Sequence, residues 1–170
     1  MDYLWSPWRY RYVSSENAGQ ECLFCRLASA KDDRSEYILL RAERNFVVLN
    51  RYPYTSGHLM IAPYAHVASL EEADPETLEE NIRLARRMES ALKQVYKPEG
   101  FNMGLNIGRC AGAGIAGHLH MHLLPRWTGD ANFMTTTGET RVLPEDLETT
   151  YEKLKPLMAE PDPKKDASLI

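Results

Sequence analysis

Residues 117–127 read GHLHMHLLPRW, a run in which three of the chain's five histidines alternate with large apolar residues. Successive side chains of a β-strand point to opposite faces, so the run predicts a strand over residues 118–125 with imidazoles on one face. The other face of that strand is wholly apolar, which favours a buried position in a sheet. The histidines are His118, His120 and His122. Three histidines so close together in a histidine-poor chain indicate a metal site or a nucleophile rather than a chance run.

A single metal ion bound by all three histidines is geometrically difficult. Neighbouring imidazoles on one strand face lie about 6.6 Å apart, so three in line span too far for a tetrahedral site unless the strand bends. Cys22-Leu-Phe-Cys25 offers a ligand pair of zinc spacing, which needs two further nitrogen donors. His58 or His66 could supply one donor and a strand histidine the other. The alternative for the cysteine pair is two reduced thiols without a metal.

If one strand histidine binds metal, another is free for catalysis. A neutral imidazole is a competent nucleophile at pH 7 when its far nitrogen is held by an acceptor such as a backbone carbonyl. The preceding loop, GRCAGAGIAG over residues 108–117, can present backbone N–H groups to a phosphate. Glycines also simply make turns, so the loop supports a phosphate site only together with the histidines.

Hydrophobic patterning predicts an α+β fold with an antiparallel sheet. Strands are expected in RSEYILL, NFVVLN, HLMIAP, FNMGLNIG and HLHMHLLP. Asp74 followed by Pro75 predicts the start of a long helix over residues 75–97. A second helix is expected from about residue 144 to residue 158. The apolar face predicted for the long helix consists of Leu78, Ile82, Ala85, Met88, Leu92 and Val95.

The chain divides into an N-terminal lead-in over residues 1–21, one domain over residues 22–158 and a flexible tail over residues 159–170. With 170 residues, 44% hydrophobic and 26% charged, the composition is typical of a soluble globular protein. A net charge of −4 gives no reason to expect nucleic acid or a membrane as a partner. No signal peptide or membrane-spanning run is expected, and three cysteines are too few for a disulfide framework, so a cytoplasmic location is predicted.

The quoted motifs resemble the histidine triad family. HLHMHLL fits the signature His-φ-His-φ-His-φ-φ, in which φ is apolar, and NRYPYTSGHLMIAPYAH resembles an upstream segment of that family. CLFC resembles the Cys-φ-Phe-Cys of its zinc-containing bacterial branch. LWSPWRYRYV and LPRWTGDANFMTTTGETRVLPEDL look like segments of the mycobacterial-type diadenosine tetraphosphate phosphorylases within the family. The resemblance implies the histidine-triad fold, a five-stranded sheet with one long and one C-terminal helix, and a homodimer.

The resemblance also implies roles for individual residues. His120 would attack the α-phosphorus of a dinucleoside polyphosphate and form a covalent nucleotidyl-histidine, while His122 would stabilise charge on the phosphate. A structural zinc ion would bind Cys22, Cys25, His66 and His118. Substrate-binding positions would be Asn50, His58, Asn106, Gly114 and Trp127. For Trp127, packing in the core is an equal alternative.

The loop before the histidines departs from the family pattern. Gly114 and Ile115 stand where many triad proteins have glutamine and a hydroxyl residue, and GAGIAG contains no hydroxyl. Cleavage of the dinucleotide by phosphate and cleavage by water both remain open. Two other functions are considered: hydrolysis of nucleoside phosphoramidates or adenylylated amines, and nucleotide binding by a zinc-stabilised protein without catalysis.

Overall fold

The structure, a computed structural model, describes residues 21–132, 135, 137–138 and 143–159. The predicted lead-in and tail therefore lie outside the described residues, apart from Glu21 and Ala159. Within the described part, no helix is long and apolar enough to cross a membrane.

Five strands form one antiparallel sheet in the order β1-β2-β3-β5-β4. The strands are β1 (Ile38–Arg41), β2 (Asn45–Leu49), β3 (Leu59–Pro63), β4 (Gly100–Leu105) and β5 (Met121–Arg126). The described helices are α1 (Leu23–Ser29), α2 (Pro75–Tyr96) and α3 (Leu147–Leu154), with short 3₁₀ turns at Arg109–Ala111 and Lys155–Met158. The predicted α+β architecture, with its five-stranded antiparallel sheet, is confirmed. Helix α1, which Cys22 caps and which contains Cys25, was not expected from the sequence.

Each face of the sheet is covered by different helices. One face packs through residues such as Ile61 and Leu123 against α2, α3 and the 3₁₀ turn that follows α3. The other face packs through residues such as Val48 and Met60 against α1. Because side chains alternate along a strand, His122 faces the α1 side, while Met121 and Leu123 face α2.

The strand expected over residues 118–125 begins later, at Met121. Continued by two residues, the register of β3 with β5 would place Leu119 opposite Pro63, and proline has no N–H to donate to the ladder. The Leu119 N–H instead donates to the Val67 carbonyl at 2.7 Å. His118 and His120 consequently lie in an unpaired segment just before the strand.

Helix α2 begins as predicted and buries Ala85, Met88 and Leu92 as expected, but not Ile82. The Asp74 side chain accepts from the Thr77 N–H at 2.9 Å, which caps the helix. Ile82, predicted to face the core, is 57% exposed. Asn81 is buried in its place and donates to the side chain of Asn45 at 3.2 Å. The prediction for Ile82 was wrong because a hydrogen-bonded polar residue occupies the core-facing position.

Met88 and Ile82 provide a matched pair for testing this orientation of α2. We expect Met88→Ala to lower the free energy of unfolding by about 2–5 kcal/mol, because Met88 is 1% exposed and its truncation leaves a cavity. Ile82→Ala should change it by less than about 0.5 kcal/mol, as is usual for surface positions. Urea unfolding of both variants measures the difference, and equal losses would contradict the assigned face.

Candidate active site and metal centre

Four histidines line the α1 side of the sheet at adjoining strand ends. His58 precedes β3, His118 and His120 precede β5, and His122 lies within β5. His58, His118 and His120 are all less than 7% exposed. The turn into His58 requires Gly57, whose φ of +78° is unfavourable for other residues and whose Cβ position would lie 3.0 Å from the Leu92 side chain.

A backbone carbonyl fixes the tautomer of His120. The Nδ1 atom of its ring lies 2.8 Å from the carbonyl oxygen of His118. A carbonyl oxygen only accepts hydrogen bonds, so Nδ1 carries the proton and Nε2 carries the free lone pair. Burial lowers the pKa of His120, an effect partly offset by this hydrogen bond. The arrangement therefore presents a neutral imidazole with an unprotonated Nε2.

His58 and His122 form a hydrogen-bond chain whose direction is set by the backbone. The Tyr54 N–H donates to Nδ1 of His58 at 3.2 Å, so the proton of the neutral ring is on Nε2. That Nε2–H donates to Nδ1 of His122 over 2.9 Å. The proton of a neutral His122 is then on its own Nε2. His122 can donate one hydrogen bond from Nε2 while Nδ1 stays occupied.

The same two rings are neutral at pH 7. Burial, with smaller contributions from the neighbouring imidazoles, lowers the pKa of His58 to about 3 and that of His122 to about 4. A charged imidazole would have to give up its hydration, and within the described residues no carboxylate forms an ion pair with either ring to compensate for it. The pair thus supplies oriented hydrogen bonds rather than positive charge.

The four metal ligands implied by the resemblance lie together. The ligand atoms of Cys22, Cys25, His66 and His118 are all within 4.8 Å of one another. Nδ1 of His118 lies 3.4 Å from the sulfur of Cys22 and 3.7 Å from that of Cys25. The Cys25 sulfur lies 3.2 Å from Nδ1 of His66. A zinc tetrahedron with Zn–S of about 2.3 Å and Zn–N of about 2.0–2.1 Å has sulfur–nitrogen edges of roughly 3.5 Å, so the donor set fits zinc.

A second contact orients His118 toward this cluster. Its Nε2 lies 2.9 Å from the carbonyl oxygen of Pro63, so Nε2 carries the proton and Nδ1 faces the sulfurs with its lone pair. Metal-binding histidines commonly donate their other N–H to such an acceptor. His58, left open as a ligand by the sequence, lies instead with His122.

The expected substrate-binding residues are only partly brought together. Asn50 follows β2 and its Nδ2 lies 3.4 Å from both ring nitrogens of His58. Asn106 follows β4 and shares a cavity of about 240 Å³ with His122 and Tyr54. Gly114 lies in the exposed part of the loop before His118.

Trp127 is placed away from the histidines. It follows β5 at a position whose parity matches Leu123, on the α2 face, and its ring packs edge-on against Tyr96 with centroids 6.4 Å apart. This geometry favours the packing alternative over a substrate contact within the same chain.

Two aromatic residues at the site were not singled out in the sequence. Tyr54 stacks over His122 with ring centroids 6.4 Å apart, and its position four residues before His58 was the available signal. Phe24, the second of the two apolar residues between the cysteines, packs on His120. A larger cavity of about 530 Å³ lies between β1 and α3, and none of these histidines lines it.

Comparison with known proteins identifies the family. The HIT domain family model matches residues 32–129. A protein of Mycobacterium tuberculosis (strain ATCC 25618 / H37Rv) named AP-4-A phosphorylase is 36% identical over 155 residues, which cover 86% of this chain and 79% of the relative. The chain belongs to the HIT domain family.

Solved structures agree with the fold of this HIT protein. A Zn-bound histidine triad family protein from Mycobacterium smegmatis matches with a TM-score of 0.67 and 26% identity, over 82% of this chain and 94% of that one. A hypothetical histidine triad nucleotide-binding protein from Sulfolobus tokodaii strain7 matches with a TM-score of 0.64 and 28% identity, over 81% and 91%. The expected membership of the histidine triad family is confirmed.

Proposed function

We propose that this HIT protein is a nucleotidyl transferase or hydrolase that cleaves dinucleoside polyphosphates, such as diadenosine tetraphosphate, through a nucleotidyl-histidine intermediate. One observation carries the proposal: the His118 carbonyl holds Nδ1 of His120 and leaves Nε2 free to attack. The relative named AP-4-A phosphorylase supports this substrate class.

The first step transfers a nucleotidyl group to His120. Its Nε2 lone pair attacks the α-phosphorus, a P–N bond forms, and the P–O bond to the next phosphate breaks with its electron pair leaving on oxygen. The positive charge that develops on the ring is stabilised by the His118 carbonyl. The Nε2–H of His122 donates a hydrogen bond to the phosphate. Water or inorganic phosphate then displaces the nucleotide and restores the free imidazole.

The histidine pair favours a phosphate over an amine as the leaving group. His122 is neutral at pH 7, with Nδ1 accepting from His58, so full transfer of its only proton would leave an imidazolate. A departing polyphosphate is stable as an anion, whereas a departing amine requires a proton. The loop over residues 108–117 contains no hydroxyl side chain that could supply that proton. Ile115 stands at the position of the hydroxyl residue in many triad proteins, and it packs against the apolar cluster around Phe24. Phosphoramidate hydrolysis is therefore the weaker of the two catalytic candidates.

Product analysis tests the proposed reaction. We expect diadenosine tetraphosphate to yield ATP together with ADP in phosphate buffer if phosphate is the acceptor, or ATP together with AMP if water is. An adenosine phosphoramidate should react much more slowly in the same assay, because its amine leaves unprotonated. His120→Ala should abolish turnover.

The outcomes of that assay are distinguishable by chromatography. Two molecules of ADP from each diadenosine tetraphosphate would contradict attack at the α-phosphorus. Nucleotide binding without products, in the wild-type protein, would favour the alternative of a non-catalytic nucleotide-binding protein.

We also propose that the Cys/His cluster holds a structural zinc ion. Cys22, Cys25, His66 and His118 would be its ligands, a closed set that leaves no position for substrate. A bound zinc ion would tie α1 to the segment that carries His120, and deprotonated thiols and neutral imidazoles would be the coordinating forms. The homodimer implied by the family resemblance and the cytoplasmic location expected from the sequence stay predictions.

Zinc content and thermal stability test the metal assignment. Purified protein should contain about one zinc ion per chain, and Cys22→Ser should lower both zinc content and melting temperature. A loss of about 3 kcal/mol in the free energy of unfolding corresponds to a decrease of roughly 6–12 °C in the melting temperature of a chain of this size. Cys110→Ser is the matched control, because Cys110 is exposed and outside the cluster. Fully folded, zinc-free protein after purification without chelators would overturn the assignment.

A further inference from the structure

The ring of Phe24 lies directly against the proposed nucleophile. Its centroid is 4.7 Å from that of His120, with an angle of 33° between the planes, and 5.2 Å from that of His118. Phe24 is 1% exposed, so the contact is fully buried. One side chain of α1 thus packs on the proposed nucleophile and on a proposed metal ligand.

Helix α1 is held at both ends, which fixes the position of Phe24. At its start, Cys22 and Cys25 contact His118 and His66. At its end, the guanidinium of Arg41 donates to the carbonyls of the last turn, those of Leu27, Ala28 and Ala30, at 2.8–3.1 Å. These hydrogen bonds satisfy carbonyls that a helix leaves without partners, and the positive charge complements the helix dipole.

A salt bridge fixes the side of the same helix. Arg26 donates to Glu36 at 2.6 Å, and Arg51, next to Asn50, donates to the same carboxylate at 2.7 Å. The hydrogen bond from Arg26 is the largest cause that lowers the pKa of Glu36. A seven-residue helix is too short to be stable alone, so these contacts set its orientation.

His120 needs such a support because one hydrogen bond does not fix a ring. The χ2 torsion of histidine is broad and roughly two-fold, so rotation about it can exchange which ring edge faces the His118 carbonyl. The plane of the His122 ring lies at 72° to that of the His120 ring, with the two centroids 5.0 Å apart. The face of Phe24, at 33°, lies much more nearly parallel to the imidazole and obstructs its rotation.

We propose that Phe24 is a positioning residue for His120: its ring, carried by the anchored helix α1, keeps Nδ1 on the His118 carbonyl and Nε2 directed toward the phosphorus. This role goes beyond packing, because it predicts an effect on the chemical step with little effect on substrate binding. The kinetic part rests on the proposed function, whereas the orientation of the ring can be measured without any substrate.

Phe24→Leu and Phe46→Leu form the matched pair for the test. Phe46 is buried in the same apolar cluster, and its ring stacks on Tyr64 with centroids 5.5 Å apart. Both variants lose the same atoms from the same cluster. They are compared at a temperature at which circular dichroism shows both to be folded.

Imidazole ¹⁵N NMR is the first readout and needs no substrate. We expect one Nδ1–H tautomer of His120 in the wild type and in Phe46→Leu, and a mixture of tautomers in Phe24→Leu. A single unchanged tautomer in Phe24→Leu would overturn the proposal, even if the protein proved to have no catalytic activity.

Kinetics with diadenosine tetraphosphate is the second readout. Phe24→Leu should lower kcat by roughly ten- to a hundredfold, since small misplacements of reacting groups cost rate on that scale. KM should change by less than about threefold, and Phe46→Leu should retain kcat within the same factor. Equal kcat values for the two variants would overturn the proposal, as would a loss confined to KM. Absence of turnover in the wild type would instead contradict the proposed function and leave the NMR result to decide the role of Phe24.

Discussion

The hydrogen bond from Nδ1 of His120 to the carbonyl of His118 connects the two halves of this site. At 2.8 Å it sets the tautomer of the proposed nucleophile, and its acceptor belongs to the residue whose own side chain enters the Cys/His cluster. The carbonyl can take this position because the chain there is not yet paired in the sheet. Pro63 has no N–H to donate to β5, so the ladder between β3 and β5 does not extend to it. Its carbonyl instead accepts a hydrogen bond from Nε2 of His118. A single backbone group thus links a structural cluster to a reactive nitrogen.

Neutrality is the second property that the fold imposes on the histidines. The rings lie among apolar side chains, and no described carboxylate forms an ion pair with them, so burial dominates and lowers their pKa values. A substrate with several negative charges would therefore meet oriented N–H donors rather than cations. Such donors hold a phosphate without paying the desolvation cost of a buried charge. The same neutrality limits proton delivery, which favours phosphate leaving groups.

Much of this arrangement follows from the sequence, because alternation and cysteine spacing are local signals. The alternation in GHLHMHLLPRW correctly separated His122 from Met121 and Leu123, and two histidines lie beside the Cys-x-x-Cys pair, for which the sequence sought two nitrogen donors. The choice of His66 over His58 came from resemblance, since only tertiary structure determines which ring lies near the sulfurs. The buried stripe of α2 was misread at Ile82 because the hydrogen bond between Asn81 and Asn45 is a long-range contact. Helix α1 was missed because seven residues give too little periodicity, and with it the contact of Phe24 with His120.

The central claim is that His120 carries the nucleotide during catalysis. Rapid acid-free quenching of wild-type protein with diadenosine tetraphosphate, followed by peptide mass spectrometry, tests it most directly. We expect a mass increase of one adenylyl group on the peptide containing His120. The adduct should disappear when quenching is delayed or when phosphate is added as acceptor, and it should be absent from His120→Ala. Turnover with no adduct on that peptide, or an adduct that maps to another residue, would contradict it.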